Sequence, residues 1–238
     1  MKKRLLMFYA LMLSLTIPQY AYAMHIGEGY LPLQWALFYF VFSVPFLYLS
    51  VKDIRKKTRN NKDLKMLLAL MGAFVFVLSA LKMPSVTGSS SHPTGTGLGA
   101  IVFGPFPMMA ISLIVLLFQA IFLAHGGLTT LGANVTSMGI IGPLAAFGVY
   151  KIFKNKNKKV ALFLGGFTGD LVTYIVTSIQ LALAFKAEGF WHSFTSFFSI
   201  FAITQIPLAI VEGIITVLIF DFIEKHCSDE LVALEEVM

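Results

Sequence analysis

Apolar runs with few or no charges recur along the whole chain, and several of them are long enough to cross a bilayer. The stretch from Phe103 to Ala124 is one example, and another begins at Val160. A membrane-spanning helix takes about 20 such residues. The chain is 57% hydrophobic and only 13% charged, which disfavours a soluble domain. The alternation typical of a transmembrane β-barrel is absent. The sequence therefore predicts an all-α polytopic membrane protein.

The first 23 residues have the three parts of a secretory signal peptide. Three basic residues follow Met1, an apolar stretch runs from Leu5 to Ile17, and Ala21 and Ala23 form a small-x-small cleavage pattern. The alternative is an uncleaved first helix. Cleavage after Ala23 leaves Met24 as the mature N-terminus, outside the cytoplasmic membrane.

Basic residues concentrate in two short segments and predict the orientation. Residues 52–65 contain seven basic and two acidic side chains, and residues 151–159 contain five basic and no acidic ones. Such segments stay on the cytoplasmic side. The net charge of +6 is therefore a topology signal, and a nucleic-acid partner is not expected. We expect a multi-pass protein of the bacterial cytoplasmic (inner) membrane, with the mature N-terminus outside and the C-terminus in the cytoplasm.

Residues 84–97 follow the second predicted crossing and should form an external loop, whereas the basic segment 151–159 should be cytoplasmic. The chain must therefore cross the membrane an odd number of times between them, but only two obvious apolar runs lie there. The missing crossing is assigned to Thr96–Phe106, a short piece that Pro105 and Pro107 end. Such a piece is tolerated at membrane depth only where protein or a cavity covers it. The apolar and charged segments together predict an N-terminal segment 24–33, a transmembrane domain 34–224 and a cytoplasmic tail 225–238. About seven transmembrane segments follow signal-peptide removal: Gln34–Val51, Met66–Met83, Thr96–Phe106, Met108–Ala124, Leu131–Tyr150, Ala161–Phe185 and Phe194–Ile223.

The mature chain begins Met24-His25, and a histidine in second position offers unusual metal ligands. The α-amine of Met24, the backbone amide nitrogen of His25 and its imidazole can wrap one metal ion in fused chelate rings. Copper, nickel and, less easily, cobalt drive the required amide deprotonation, whereas magnesium and calcium prefer oxygen ligands. The alternative is that His25 is an ordinary interfacial residue near a new terminus.

Three further segments carry candidate residues on the same predicted membrane face. His92 follows Ser91 in a Ser/Gly/Thr-rich loop and is the natural fourth ligand, unless that loop is merely a flexible connection. His125, in His-Gly-Gly-Leu, is a candidate transient ligand or an interfacial residue. Asn134 is a candidate hydrogen-bond partner for the groups that bind the metal. His192 resembles an interfacial anchor beside Trp191.

Two acidic residues fall inside predicted membrane segments, where charge is costly. Asp170 and Glu212 are interpreted as structural partners or as contacts to another subunit. In a self-sufficient permease driven by ion gradients, they would instead form a proton relay. A ligand role is disfavoured by their depth. The chain has neither a phosphate-binding GxxxxGK[ST] loop nor a His-Glu-x-x-His pair, so we expect neither ATP hydrolysis nor metalloenzyme chemistry from it.

Three motifs together resemble the CbiM family, with NikM as its nickel relative. They are Met-His-Ile-x-Glu-Gly-Tyr-Leu-Pro from Met24, Ser-x-His-Pro-Thr-Gly-Thr-Gly around His92, and His-Gly-Gly-Leu-Thr-Thr-Leu-Gly-Ala-Asn from His125. These proteins are substrate-capture (S) subunits of energy-coupling-factor transporters, and the resemblance covers essentially the whole mature chain.

The resemblance implies a six-helix S-component core preceded by one extra N-terminal helix. It implies Met24, His25 and His92 as metal ligands, with Glu28, Ser91, His125 and Asn134 as candidates for supporting the ligands or admitting the metal. The implied cargo is Co(II) for cobalamin biosynthesis or, alternatively, Ni(II), and no cofactor is expected. The implied partners are a CbiQ-like membrane coupling subunit, a CbiO-like ATPase and a separate CbiN-like accessory protein.

Overall fold

The computed structural model describes residues 25–59, 61–84, 90–186 and 188–237. The predicted signal peptide, residues 1–23, and Met24 lie outside the described residues. Six helices are long and apolar enough to cross a membrane, which confirms an all-α polytopic membrane protein. In chain order the elements are α1 (Leu33–Thr58), α2 (Lys62–Ala80), β1 (Met83–Pro84), β2 (Ser90–Ser91), α3 (Thr96–Phe103), α4 (Pro105–Leu123), α5 (Leu131–Phe153), α6 (Lys158–Ala184), α7 (Phe190–His226) and α8 (Ser228–Val237).

The basic segment at residues 52–65 is mostly helical. Basic residues fill the last turn of α1, where the helix dipole favours cations. Asn61 then starts α2, because its side chain accepts hydrogen bonds from the backbone N–H groups of Asp63 (2.9 Å) and Leu64 (3.0 Å). The two helices are therefore joined by a very short connection.

The short helix α3 occupies the place of the predicted broken segment. All eight of its residues are buried, so the surrounding helices enclose it completely. Gly95 (φ 70°) precedes it and Gly104 (φ 84°) follows it, and glycine adopts this left-handed conformation without a Cβ clash. Pro105 then opens α4. The local Gly and Pro chemistry thus sets both ends of α3.

Helix α5 changes its winding directly after the candidate residue Asn134. It starts with one α-helical turn, continues as a π-helix over Val135–Ile141 and returns to an α-helix at Gly142. Such wide turns are rare and occur often at functional sites. The irregular turn places Asn134 at the end of a short, fully buried helical segment.

Helices α6 and α7 pack closely through glycines. A Cβ added at Gly166 would lie 2.3 Å from Thr216 Oγ1, and one at Gly213 would lie 2.8 Å from the Phe163 ring. The small residues around Gly165–Gly169 therefore permit the close approach of α6 and α7.

Residues 225–238, expected as a tail, are largely helical. Helix α8 packs Leu234 into the main hydrophobic core, where it is 1% exposed. The Lys56 ammonium group also donates a hydrogen bond to the Val237 carbonyl oxygen (3.1 Å). The end of the chain is thus packed against the helix bundle.

Candidate metal centre

Three histidines from distant parts of the chain converge in one buried cluster. One ring nitrogen from each of His25, His92 and His125 lies within 4.8 Å of the others. Their ring centroids are 4.9–5.0 Å apart. All three side chains are buried, and His25 and His92 are completely inaccessible. His125, for which the sequence allows a transient, supporting or interfacial role, lies as close to the other two histidines as they lie to each other.

The hydrogen bonds of His92 define which of its nitrogens is available. Its Nδ1 lies 2.9 Å from the Pro93 carbonyl oxygen, and its Nε2 lies 3.0 Å from Nε2 of His125. A carbonyl only accepts, so Nδ1 carries the proton and the Nε2 lone pair is free to accept. The hydrogen bond of Nδ1 to a carbonyl also fixes the ring, as is usual for histidines that bind metals. Nε2 of His92 therefore points its lone pair into the cluster.

His25 contributes an imidazole that no described residue engages through a hydrogen bond. Both of its ring nitrogens are buried and unpartnered within the described part of the chain. Buried polar atoms without partners are rare and costly. Its ring is instead packed edge-to-face against the rings of His92 and His125. The orphaned nitrogens therefore leave a place for a ligand of the cluster.

Burial keeps the three imidazoles neutral. Loss of hydration lowers the pKa of His92 to about 4, and it also moves the pKa values of His25 and His125 well below the usual range. Neighbouring imidazoles and the Lys82 ammonium group add to the effect, since further positive charge is disfavoured near them. Neutral imidazole is the form that binds transition metals. The cluster therefore offers lone pairs without prior loss of protons.

Asn134 and Thr130 hold the backbone directly after His25. The Ile26 N–H donates to Oδ1 of Asn134 (2.9 Å), and Nδ2 of Asn134 donates back to the Ile26 carbonyl oxygen (3.1 Å). The Thr130 hydroxyl donates to the same carbonyl (2.6 Å). Three buried bonds thus attach the N-terminal segment to the start of α5 and fix the place of His25.

Glu28 makes a second, more exposed attachment of the same segment. Its carboxylate accepts hydrogen bonds from the backbone N–H groups of Leu128 and Thr129. Hydrogen bonds, first from the Thr129 side chain and then from the two backbone groups, lower the pKa of Glu28. Gly127 permits the contact, because a Cβ there would lie 2.5 Å from Glu28 Cα. Glu28 therefore binds the N-terminal segment to the loop that carries His125.

The loop around His92 is attached to α7. The Ser91 hydroxyl lies 3.0 Å from the hydroxyl of Thr204, so it serves this attachment and is not bonded to an imidazole. The Glu212 carboxylate accepts hydrogen bonds from the Thr94 backbone and hydroxyl groups and from the Gly95 backbone. The sequence allows Glu212 to be a structural partner, a contact to another subunit or part of a proton relay, because nothing near it in the chain indicates a contact 118 residues away.

The remaining candidates lie away from the cluster. His192 is exposed and lies 3.3 Å from the Glu188 carboxylate. The fifth histidine of the chain, His226, is the last residue of α7 and stacks on Phe222. Asp170 is completely buried near Glu212, and neither of its oxygens has a well-formed hydrogen bond to a described residue.

The buried cluster of His25, His92 and His125 thus offers three neutral nitrogen donors. Such donors suit a first-row transition metal far better than magnesium or calcium.

Known proteins share both the sequence and the fold. The family model described as "CbiM: Cobalt uptake substrate-specific transmembrane region" matches residues 25–230. The chain belongs to the CbiM family. The Cobalt transport protein CbiM of Clostridium tetani is 59% identical over 233 residues, which cover 97% of each chain. The protein of the same name from Nostoc sp. is 55% identical, over 95% of this chain and 87% of its own length.

A solved structure gives the same result for the fold. The crystal structure of a truncated transition metal transporter superposes with a TM-score of 0.74 at 27% identity, covering 85% of this chain and 99% of its own. The matched CbiM region begins at His25 and includes all three histidines of the cluster. The resemblance noted from the three sequence motifs is confirmed.

Proposed function

We propose that this chain is the substrate-capture subunit of an ATP-driven energy-coupling-factor transporter and takes up Co(II) from the outer face of the cytoplasmic membrane. The observation that carries the proposal is the convergence of His25, His92 and His125 as three buried neutral imidazoles. Such donors suit cobalt and nickel. His25 directly follows the predicted mature N-terminus in the sequence. The cobalt transport names of the CbiM relatives support cobalt as the cargo. We expect this cobalt to serve cobalamin biosynthesis.

The proposed ligands are four nitrogens from three residues. The α-amine of Met24, the deprotonated backbone nitrogen of His25 and its imidazole form fused chelate rings around the ion. His92 supplies the fourth nitrogen through Nε2, which its Nδ1 contact with the Pro93 carbonyl leaves free. In the structure, Nε2 of His92 lies 3.0 Å from Nε2 of His125, and a metal ion that binds His92 replaces this contact. His125 then approaches the ion from outside the plane or hydrogen-bonds a ligand.

An added residue at the mature N-terminus tests the role of the amine. Insertion of one alanine before Met24 moves the amine out of the chelate ring, so Co(II) binding to the purified mature protein should fall to background. Met24→Ala is the matched control, because it retains both the amine and its register and should bind normally. Bound metal is measured after equilibrium dialysis. Equal binding by both variants would contradict the proposed ligand set.

Metal competition separates cobalt from nickel. The two ions share ligand preferences, and geometry and availability decide between them. We expect Co(II) to be retained against equimolar Ni(II) by the mature protein, with Mg(II) ineffective as a competitor. Preferential retention of Ni(II) would assign the chain to nickel uptake within the same family.

Transport itself requires partners in this proposal. A CbiQ-like coupling subunit, a CbiO-like ATPase and a CbiN-like accessory protein are expected, with the N-terminus outside and the C-terminus in the cytoplasm. Ala69 and Ala73 are exposed on α2 and offer a close-packing face to such a membrane partner. Proteoliposomes with the chain alone should not accumulate Co(II). Accumulation driven by a proton gradient without ATP would instead support a self-sufficient permease.

A further inference from the structure

Glu212 is a fully buried acidic residue in the middle of the membrane-spanning helix α7, and its carboxylate accepts three hydrogen bonds from one loop. Its Oε1 accepts hydrogen bonds from the Thr94 hydroxyl (2.8 Å) and the Gly95 N–H (2.9 Å), and its Oε2 accepts one from the Thr94 N–H. A charge at this depth is expensive and needs a reason. The three bonds show that the carboxylate serves the segment that directly follows His92.

The loop needs such an acceptor because it runs through the protein interior. All residues from Ser91 to Gly104 are buried, and backbone N–H groups that are removed from water must find partners. Gly95 is also the residue that precedes α3, and the positive end of a helix dipole favours an anion there. Glu212 therefore satisfies two backbone donors and stabilises the start of α3 with one side chain.

The peptide unit between Pro93 and Thr94 connects Glu212 to the His92 ring. A peptide bond is planar and its C=O and N–H groups point in opposite directions when it is trans, as it is here. The N–H of this unit is bound by Glu212, and its carbonyl oxygen lies 2.9 Å from His92 Nδ1. Because the peptide unit is rigid, the Glu212 carboxylate that binds its N–H group also fixes the Pro93 carbonyl oxygen, which accepts the hydrogen bond from His92 Nδ1.

The neighbouring residues leave the loop little room to move. A Cβ at Gly95 would lie 3.1–3.3 Å from atoms of Leu78, Phe74 and Val75 on α2. The loop is therefore held between α2 on one side and the Glu212 carboxylate on α7 on the other.

We propose that Glu212 is the positioning residue of His92: by fixing the Pro93–Thr94 peptide plane, it holds His92 Nδ1–H on the Pro93 carbonyl and directs Nε2 at the metal. This inference rests on the proposed role of His92 as a metal ligand. It gives the intramembrane carboxylate a function that needs neither proton transfer nor direct contact with metal.

Glu212→Gln tests the inference with almost no change in size. The three loop groups that contact the carboxylate all donate a hydrogen bond, whereas the glutamine amide has one accepting oxygen and one donating nitrogen. In either orientation at least one backbone N–H faces another donor and loses its partner. We expect Cu(II), used as the probe, to bind the mature variant roughly ten- to a hundredfold more weakly, as for loss of one well-formed bond to a charged acceptor.

The visible absorption band of bound Cu(II) distinguishes positioning from a general loss of stability. Replacement of the His92 nitrogen by water moves the band to longer wavelength, whereas a smaller folded fraction lowers the intensity without moving the band. Glu212→Gln should therefore show a band moved towards that of His92→Ala. Glu224→Gln is the matched control, because Glu224 lies on the same helix but is exposed and pairs with Lys158. It should keep the wild-type band and affinity.

Two outcomes would overturn the inference in different ways. A wild-type band and affinity in Glu212→Gln would remove Glu212 from the site while leaving the proposed ligands intact. Absence of a nitrogen-rich band from the wild-type protein would refute the ligand set, and the positioning role with it. If Glu212→Gln does not fold, Glu212→Asp replaces it. That variant retains the charge but is one methylene shorter, so the band should again move, and an unmoved band would refute the inference.

Discussion

Asn134→Ala offers a direct measure of how strongly the proposed metal site depends on the attachment of the N-terminal segment. The substitution removes both bonds between the Asn134 side chain and Ile26, of 2.9 and 3.1 Å. The Ile26 carbonyl retains the Thr130 hydroxyl, but the Ile26 N–H loses its buried acceptor. An unpaired buried donor costs about 1–3 kcal/mol and the second bond contributes about 1 kcal/mol. The total is about 2–4 kcal/mol.

This cost falls on metal affinity, because His25 must be in place before the ion can be bound. At about 1.4 kcal/mol for each factor of ten, the mature Asn134→Ala protein should bind Co(II) about 30- to 1000-fold more weakly. Titration calorimetry on purified protein gives the dissociation constant. Asn155→Ala, at an exposed asparagine far from Ile26 in the chain, is the matched control. A folded Asn134→Ala protein with affinity within about twofold of wild type would refute the reasoning.

Three further predictions concern the same cluster. His92→Ala should lose most bound Co(II) in equilibrium dialysis, whereas His125→Ala should retain a measurable site, because His125 is outside the proposed chelate; equal loss in both would contradict this. The pKa of His92, about 4 when folded against 6.5 when unfolded, predicts that the metal-free protein loses stability as the pH falls from 6.5 to 4, by about 3 kcal/mol from His92 alone. The lowered pKa values of His25 and His125 act in the same direction. Thermal unfolding of the metal-free protein across that range measures this loss, and a melting temperature independent of pH would exclude it. Gly127→Ala should weaken Co(II) binding, since its Cβ would meet the Glu28 backbone, and Gly148→Ala, where nothing lies within 4 Å, should not.

Much of the fold follows from local chemistry and could be read from the sequence. The short helix α3 is the clearest case, because Gly104 and Pro105 end it through their local backbone chemistry, independently of how the rest of the chain packs. The crossing parity required a segment there, and the structure has a buried helix from Thr96 to Phe103. The ends of α7 were predicted less well. Phe194–Ile223 was expected and Phe190–His226 is found, because interfacial aromatic and basic residues continue a helix beyond its apolar part.

The candidate site was only partly predictable. His25 and His92 could be chosen because a free N-terminus and an outer loop are predicted on the same membrane face, and because the resemblance to the CbiM family implies both as ligands. The closeness of His125 to both could not be derived, because it depends on how Gly126 and Gly127 let the loop pack against the N-terminal segment. The contact of Glu212 with Thr94 depends on the packing of α7 against a loop 118 residues earlier. Contacts between residues so far apart in the chain produce no periodic pattern in the sequence.

The three imidazoles are held by two different helices, and this limits how a bound ion can be released. His25 is held through Ile26 by Asn134 at the start of α5, and His125 lies in the loop that leads into the same helix. His92 is held through Thr94 by Glu212 on α7. A displacement of α7, together with the face of α2 that packs on the same loop, relative to the start of α5 would therefore separate His92 from His25 and His125. Because the ion loses a nitrogen ligand in that step, such a separation weakens binding without unfolding either helix.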